Sequence, residues 1–175
     1  QRNLLYFENQ KKENIKFWKR LGGRPALAGK TVLDFGCGLG CLSIDLINNG
    51  AQSVTGIDLE PEYIEFAKAN LDQNFGIFKQ SINFEKKDLL KEKFDKDFDI
   101  IVTKDTFEHT DNLPKILEKF EVLLKKNGKA YIGFGPLYNF YNGDHGRAQL
   151  KFPWLHVLLS DNFIIKRYNK KNENQ

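Results

Sequence analysis

Four short stretches of this sequence carry carboxylates and glycines in patterns that suit ligand chemistry. The first is Val32-Leu33-Asp34-Phe35-Gly36-Cys37-Gly38-Leu39-Gly40. Glycines directly after an apolar run let the backbone turn tightly and approach a ligand closely. A G-x-G-x-G loop by itself fits many nucleotide and dinucleotide binders. Asp34 narrows the choice: a carboxylate just before the loop repels a pyrophosphate but suits a ligand with cationic ammonium and sulfonium groups. The second stretch is Gly56-Ile57-Asp58. Asp58 follows Gly36 by about 20 positions, the spacing that brings an acid on the adjacent strand tip to both ribose hydroxyls. An acid ahead of Pro61 also suits a helix entry. The third is Lys87-Asp88-Leu89, where Asp88 can accept from an adenine amino group and the Leu89 amide can meet a ring nitrogen; an acid after a strand can equally be a cap. The fourth is Phe98-Asp99-Ile100-Ile101-Val102-Thr103-Lys104-Asp105-Thr106-Phe107-Glu108-His109.

In this order, the four segments resemble the class I S-adenosylmethionine-dependent methyltransferases, nearest to the group typified by the ubiquinone-biosynthesis methyltransferases. The first segment is similar to their V-L-D-x-G-C-G-x-G signature, with Phe35 at the variable position. The fourth is similar to their F-D-x-V…L-E-H stretch, with Phe107 in place of the usual leucine. The resemblance covers about residues 30 to 135. It implies S-adenosylmethionine as cofactor and methyl transfer as reaction, and leaves the acceptor open. Carried over residue by residue, it sets Gly36, Cys37, Gly38 and Gly40 against the methionine portion and has Asp34 orient the ammonium through water. Asp58 is expected to hold the ribose, Leu59 to pack on adenine, and Asp88 with Leu89 to read the adenine edge. Thr103 and Lys104 are expected to offer backbone groups beside the methionine portion.

The cofactor's sulfonium is already an activated leaving group, so the chemistry asks little of side chains. An oxygen or nitrogen acceptor can also need a base. His109 is one candidate, although a histidine at a loop-to-helix junction also serves to bond the backbone. His145 is the second. It lies in Gly135 to Gly146, a segment rich in aromatics and glycine that leaves the fifth strand on the ligand rim. There Tyr138 and Tyr141 are expected to line the acceptor site, since such sites are aromatic walls with a few polar tips. Asp105, Glu108 and His109 resemble a metal-binding arrangement of some relatives, which have Glu at the position of Asp105. With His145 they could form an oxygen-and-imidazole site, yet they serve as helix caps as well, and no metal is expected.

These residues need a scaffold that brings loop ends to one rim. Leu4, Phe7, Ile15, Trp18 and Leu21 predict an amphipathic helix that Gly22-Gly23 stops. Strands are predicted at 31–35, 53–58, 82–86, 98–103 and 130–134. Helices are predicted at about 41–48, from Pro61 with Ile64, Ala67, the Lys68 stem and Leu71 as its face, and over 113–124 with Asn127-Gly128 as its end. Strands alternating with helices give an α/β, doubly wound, Rossmann-like, mostly parallel sheet in the order 3-2-1-4-5, with ligands outside the carboxyl ends of the strands. Phe152 to Leu159 reads as a short apolar helix or lid, and Phe163 to Tyr168 as a strand. The antiparallel strands such domains add after the fifth strand are therefore expected to be short or missing, because the sheet is cut short or the chain is part of a longer protein. The sequence reads as one domain over 1–175: an N-terminal helix in 1–24, a cofactor-binding core in 30–135, and an acceptor-side segment and tail in 136–175.

Composition agrees with a single globular core: hydrophobic residues are 41% and charged residues 29% of 175. There is no apolar run of membrane-spanning length and no secretory leader pattern. The chain has no methionine, so its natural start is expected to be missing or processed. Two cysteines four positions apart make neither a useful staple nor a zinc site, and a reducing, cytoplasmic location is expected. The net charge of +4 comes from lysine pairs scattered among acids, a solvated surface rather than a nucleic-acid face. A small-molecule acceptor is expected, with no nucleic acid or membrane partner, and an open sheet edge allows a homodimer. Two other readings compete: an NAD-type Rossmann oxidoreductase, which Asp34 argues against, and a non-catalytic S-adenosylmethionine-binding module.

Overall fold

The computed structural model describes residues 2–95, 97–135 and 154–172. The chain forms two compact units, Gln1–Gly133 and Phe134–Gln175. The first unit holds helix α1 (Arg2–Arg20), strand β1 (Thr31–Phe35), α2 (Cys41–Asn48), β2 (Ser53–Asp58), α3 (Pro61–Asn74), β3 (Ile82–Lys86), β4 (Phe98–Lys104), α4 (Leu113–Leu123) and β5 (Leu124–Gly133). The five strands form one sheet in the order β3-β2-β1-β4-β5, and every pairing in it is parallel. This is the expected doubly wound arrangement.

Successive side chains of a strand point to opposite faces, and the core divides accordingly. Val32 of β1, Val54 of β2 and Val102 of β4 face one apolar cluster shared with α1, α2 and α3. Their neighbours Leu33, Ile57 and Ile101 face a second cluster with Ile116, Phe120 and Leu123 of α4. Strands buried on both faces explain the near-continuous apolar runs that mark them in the sequence. At the amino end of the sheet Asp99 ties β4 to β1, accepting from the Thr31 amide at 2.9 Å and the Thr31 hydroxyl at 2.8 Å. Lys125 Nζ closes on the same oxygen at 2.9 Å. The Thr31 amide, then Lys125, hold the Asp99 carboxyl well below the ordinary carboxylate range.

Four expectations need correction. The buried face of α1 is Phe7, Asn14, Phe17 and Trp18, while Leu4 and Ile15 are exposed. The apolar stripe lies to one side of the line those two residues suggested, because the docked arc also takes in a polar asparagine. On α3 Lys68 is exposed and Asn70 is buried beside Ile64, Ala67 and Leu71. Asn127-Gly128 does not end α4. The helix stops at Leu123 and β5 begins at once. The pairing then slips from Phe98↔Leu124 to Ile100↔Lys129, so residues 125–128 bulge out, with Asn127 in the left-handed region at φ 67°. A turn signal marks a sharp bend without saying whether a helix or a strand contains it. Finally, Phe163 to Tyr168 is not a strand: in the second unit it lies within α6 (Asp161–Asn172). A short apolar run does not separate strand from helix, and the Ser160 carbonyl, bonded by the Phe163 and Ile164 amides, starts the helix. The apolar stretch before it contains the short α5 (Leu155–Leu158).

Candidate cofactor cleft

The glycine loop is shaped by the tip of β2. The Gly36 and Cys37 amides both donate to the Ile57 carbonyl, at 2.9 and 3.0 Å, folding the loop back across the neighbouring strand. The Gly38 amide donates to Asp58 Oδ2 at 2.8 Å, and the Glu60 amide to Asp58 Oδ1 at 3.0 Å. Gly36, Gly38 and Gly40 are all in the left-handed region, at φ 73°, 51° and 81°, which a side chain makes costly. Their surroundings differ. A Cβ at Gly36 would overlap the Thr106 side chain, and one at Gly40 would come within 2.6 Å of Phe84 Cζ, whereas one at Gly38 meets nothing within 4 Å.

The loop borders a cleft of about 680 Å³ at the carboxyl ends of β1, β2 and β4. Of the residues expected from the sequence, Asp34, Gly36, Cys37, Gly38, Asp58, Leu59, Asp88, Leu89, Lys104 and His109 line it. Gly40 and Thr103 are not in that lining. Gly40 lets the start of α2 pack closely on Phe84 and Ala67. Thr103 is buried within β4, its hydroxyl without a hydrogen-bond partner. Tyr138, Tyr141 and His145 lie outside the described residues. Asp105 and His109 reach the cleft but Glu108 does not. Among the described residues, no three His, Cys, Asp or Glu groups are grouped to hold a metal ion.

Asp34 is the buried charge of the site. It is 1% exposed and accepts from Ser43 Oγ at 2.6 Å. Burial pushes its carboxyl up to about 6, against the opposing pull of the Ser43 hydroxyl and of Lys104. Asp88 is already engaged as a cap, accepting from the Leu90 amide at 2.9 Å and pairing with Lys91 at 3.0 Å, and Lys91 foremost holds its carboxyl low. Leu89 is buried, while Leu59 is 59% exposed, an apolar surface next to Asp58 in the chain. Burial raises both thiols, Cys41 to about 11 and Cys37 well above the usual value, so neither is a ready thiolate.

The sequence reading missed the contribution of α1. Tyr6 and Gln10 line the cleft, and Lys104 Nζ donates to Gln10 Oε1 and to Asn14 Oδ1, each at 2.6 Å. The available signal was an interruption of the apolar stripe: Gln10 and Asn14 fall at i+3 and i+7 from Phe7, on the face that docks. Thr106 was missed as well. It packs on Gly36 and donates to the Lys104 carbonyl at 3.2 Å.

Residues 27–134 match a family model described as a methyltransferase domain. The chain is 36% identical over 124 residues to a ubiquinone biosynthesis O-methyltransferase of Pelagibacter ubique, covering 69% of this chain and 49% of that protein. It is 37% identical over 105 residues to phosphoethanolamine N-methyltransferase 3 of Arabidopsis thaliana, covering 59% of this chain and 21% of the relative. The chain thus spans about half or less of these relatives. Among solved structures, it resembles an S-adenosylmethionine-dependent methyltransferase from Mesorhizobium loti, with TM-score 0.53, 22% identity and coverage of 61% and 47%. It also resembles the glycopeptide N-methyltransferase MtfA complexed with S-adenosylmethionine, with TM-score 0.58, 19% identity and coverage of 69% and 52%. At such identities these two structures speak for the fold. With the family match over most of its length and a sheet of the same fold, the chain belongs to the methyltransferase domain family, of the class I, S-adenosylmethionine-dependent type.

Proposed function

We propose that this domain moves the methyl group of S-adenosylmethionine to a small-molecule acceptor. The observation that carries the reading is the buried carboxylate of Asp34 beneath the glycine loop, one strand away from Asp58. Asp34 offers a fixed negative charge to a cationic ligand, and Asp58 keeps lone pairs for two hydroxyls beyond its two amide bonds. The open side of Gly38 lets a ligand lie against backbone. When bound, the cofactor supplies an electrophilic methyl group on a sulfonium leaving group. The chain's own residues fix that group's position relative to an acceptor, and such alignment is worth up to about 7–11 kcal/mol.

His109 lines the cleft on a single 3-10 turn, which supports it as a group to take a proton from an oxygen or nitrogen acceptor. Tyr138, Tyr141 and His145 remain proposed for the acceptor wall on their position after β5. No described helix is long and apolar enough to cross a membrane. The O- and N-methyltransferase names of the relatives extend over proteins much longer than this chain and do not choose the acceptor atom.

The test is calorimetry with S-adenosylhomocysteine and with NAD, followed by a search for S-adenosylhomocysteine release from S-adenosylmethionine in a metabolite extract. Binding of the first and not the second, with release, supports the reading. Preference for NAD sinks it, and binding without release from any extract favours a non-catalytic module.

A further inference from the structure

Beyond the residues assigned to the cofactor, the cleft is lined by Tyr6 of α1, Tyr63 of α3, and Asp105 and His109 of the segment after β4. Both tyrosines are exposed, so their rings are open to a ligand rather than spent in the core. The Tyr6 hydroxyl is pushed above its ordinary value by partial burial first, then by the charge of Asp105 and by Tyr63. Three elements distant in sequence therefore meet at one patch of the wall. The three lysines of the lining are all engaged: Lys87 with Glu85 at 3.3 Å and over the Phe94 ring, Lys91 with Asp88 at 3.0 Å, and Lys104 with the Gln10 and Asn14 amide oxygens. Asp105 differs. Its amide donates to the Gly133 carbonyl at 2.8 Å, which fixes the backbone. Among the described residues no donor or cation bonds its exposed carboxylate. A ligand anion thus finds the lysines occupied, whereas a ligand cation finds a carboxylate beside two aromatic rings.

We propose that the methyl acceptor is a cationic amine, held by the Asp105 carboxylate and by the rings of Tyr6 and Tyr63. This rests on the function proposed above and names the acceptor class for it. A carboxylate attracts an ammonium and accepts its N–H bonds, and aromatic rings add cation–π attraction. A neutral alcohol of the same shape draws on the rings alone, and an acidic acceptor is repelled by Asp105. For transfer, one N–H stays on Asp105 and a second proton passes to His109, the other titratable group of this wall. The nitrogen lone pair so freed forms the new N–C bond as the C–S bond breaks, with its electron pair left on sulfur. The products are S-adenosylhomocysteine and a methylated ammonium, and His109 returns its proton to water.

The probes are benzylamine, a cation at neutral pH, and benzyl alcohol, its neutral counterpart. Each is titrated by calorimetry into the full chain saturated with S-adenosylhomocysteine. The wild-type chain is expected to prefer benzylamine by at least about 10-fold. Asp105→Asn keeps the side-chain shape and suits the left-handed backbone at φ 55°. It is expected to cut that preference to about twofold or less, with S-adenosylhomocysteine affinity held within about twofold. Tyr63→Leu is expected to weaken benzylamine about 2- to 5-fold more than benzyl alcohol. Equal affinity for the two probes in the wild type, binding of neither, or a preference that Asp105→Asn retains overturns the proposal. Should Asp105→Asn not fold, a preference that Tyr63→Leu leaves unmoved overturns it. Methyl transfer is read as S-adenosylhomocysteine release with a panel of primary amines and their matched alcohols and carboxylic acids. Release with an alcohol or an acid and with no amine overturns the proposal and leaves the functional reading standing. A chain that binds no S-adenosylhomocysteine refutes both.

Discussion

The tips of β2 and β4 open on the same cleft and are built in opposite ways. At β2 the charged group, Asp58, is held by amides of its own neighbourhood: the Glu60 amide two residues on, and the Gly38 amide of the loop that the adjacent strand feeds. At β4 the charged group, Lys104, is held by side chains 94 and 90 residues away on α1. A backbone amide is supplied by every residue except proline, so the β2 tip needs only a strand, a glycine loop and an acid. The β4 tip needs two particular side chains and a docked helix. The first arrangement survives most changes elsewhere in the chain; the second depends on tertiary packing.

The comparison can be pressed in decreasing order of effect. The largest is expected at the loop itself. Gly38→Val sets a side chain into the open space over the loop and should weaken S-adenosylhomocysteine binding by at least about 100-fold, while left-handed strain costs only about 1–2 kcal/mol of stability. Calorimetry alongside thermal melting separates the two; normal affinity in the variant reduces Gly38 to a turn residue. Next comes the β2 tip. Asp58→Ala should cost about 1–3 kcal/mol of affinity, or about 5- to 150-fold, by leaving the ligand hydroxyls and the Gly38 amide without their acceptor. An unchanged affinity would remove Asp58 from the site.

A third effect lies between the tips and depends on pH. Burial raises the Asp34 carboxyl to about 6, and the charged form is the one that attracts a cationic ligand. Affinity should therefore fall as pH drops through about 6, and Asp34→Asn should bind more weakly at pH 8 with that dependence flattened. The same shift acts on stability with the opposite slope: the contribution is full below the ordinary carboxylate value and is lost as pH rises through about 6. Denaturant unfolding of wild type against Asp34→Asn from pH 4 to 8 reads this directly, and parallel curves would contradict the shift. The smallest effect is expected from α1. Gln10→Ala removes one of the two amides that aim Lys104 and should lower affinity about 2- to 5-fold, with about 1 kcal/mol of stability. If this change matches Asp58→Ala in size, α1 is as much a part of the site as the β2 tip, and the contrast drawn here collapses.

Much of this molecule was readable before its structure. Five strands, their order and the bounds of β1, β2 and β3 follow from apolar runs broken by glycine, proline and helical periodicity. Asp34, Gly38 and Asp58 were identified because their spacing along the chain fixes their place on adjacent strand tips. Local signals failed where one signal has two structural meanings: Asn127-Gly128 marks a bulge in β5 rather than the end of α4, and Phe163 to Tyr168 is helical. Gly40 is outside the cleft lining, and the absence of its side chain makes room for Phe84.

What the sequence determined by itself is the set of contacts made by residues near one another in the chain or on paired strands: the parallel sheet, the glycine loop, and the acids near the carboxyl ends of β1, β2 and β3. Only the tertiary structure decided that Gln10 and Asn14 meet Lys104, that Thr106 packs on Gly36, and that Asp34 is buried deeply enough to hold its proton to about pH 6. The physical reason is range. Backbone periodicity and turn chemistry act over a few residues and leave a pattern in the order of amino acids. A buried ion's partners and desolvation depend on which distant surfaces come together, and a polar residue in an apolar stripe signals that a partner is needed without naming it.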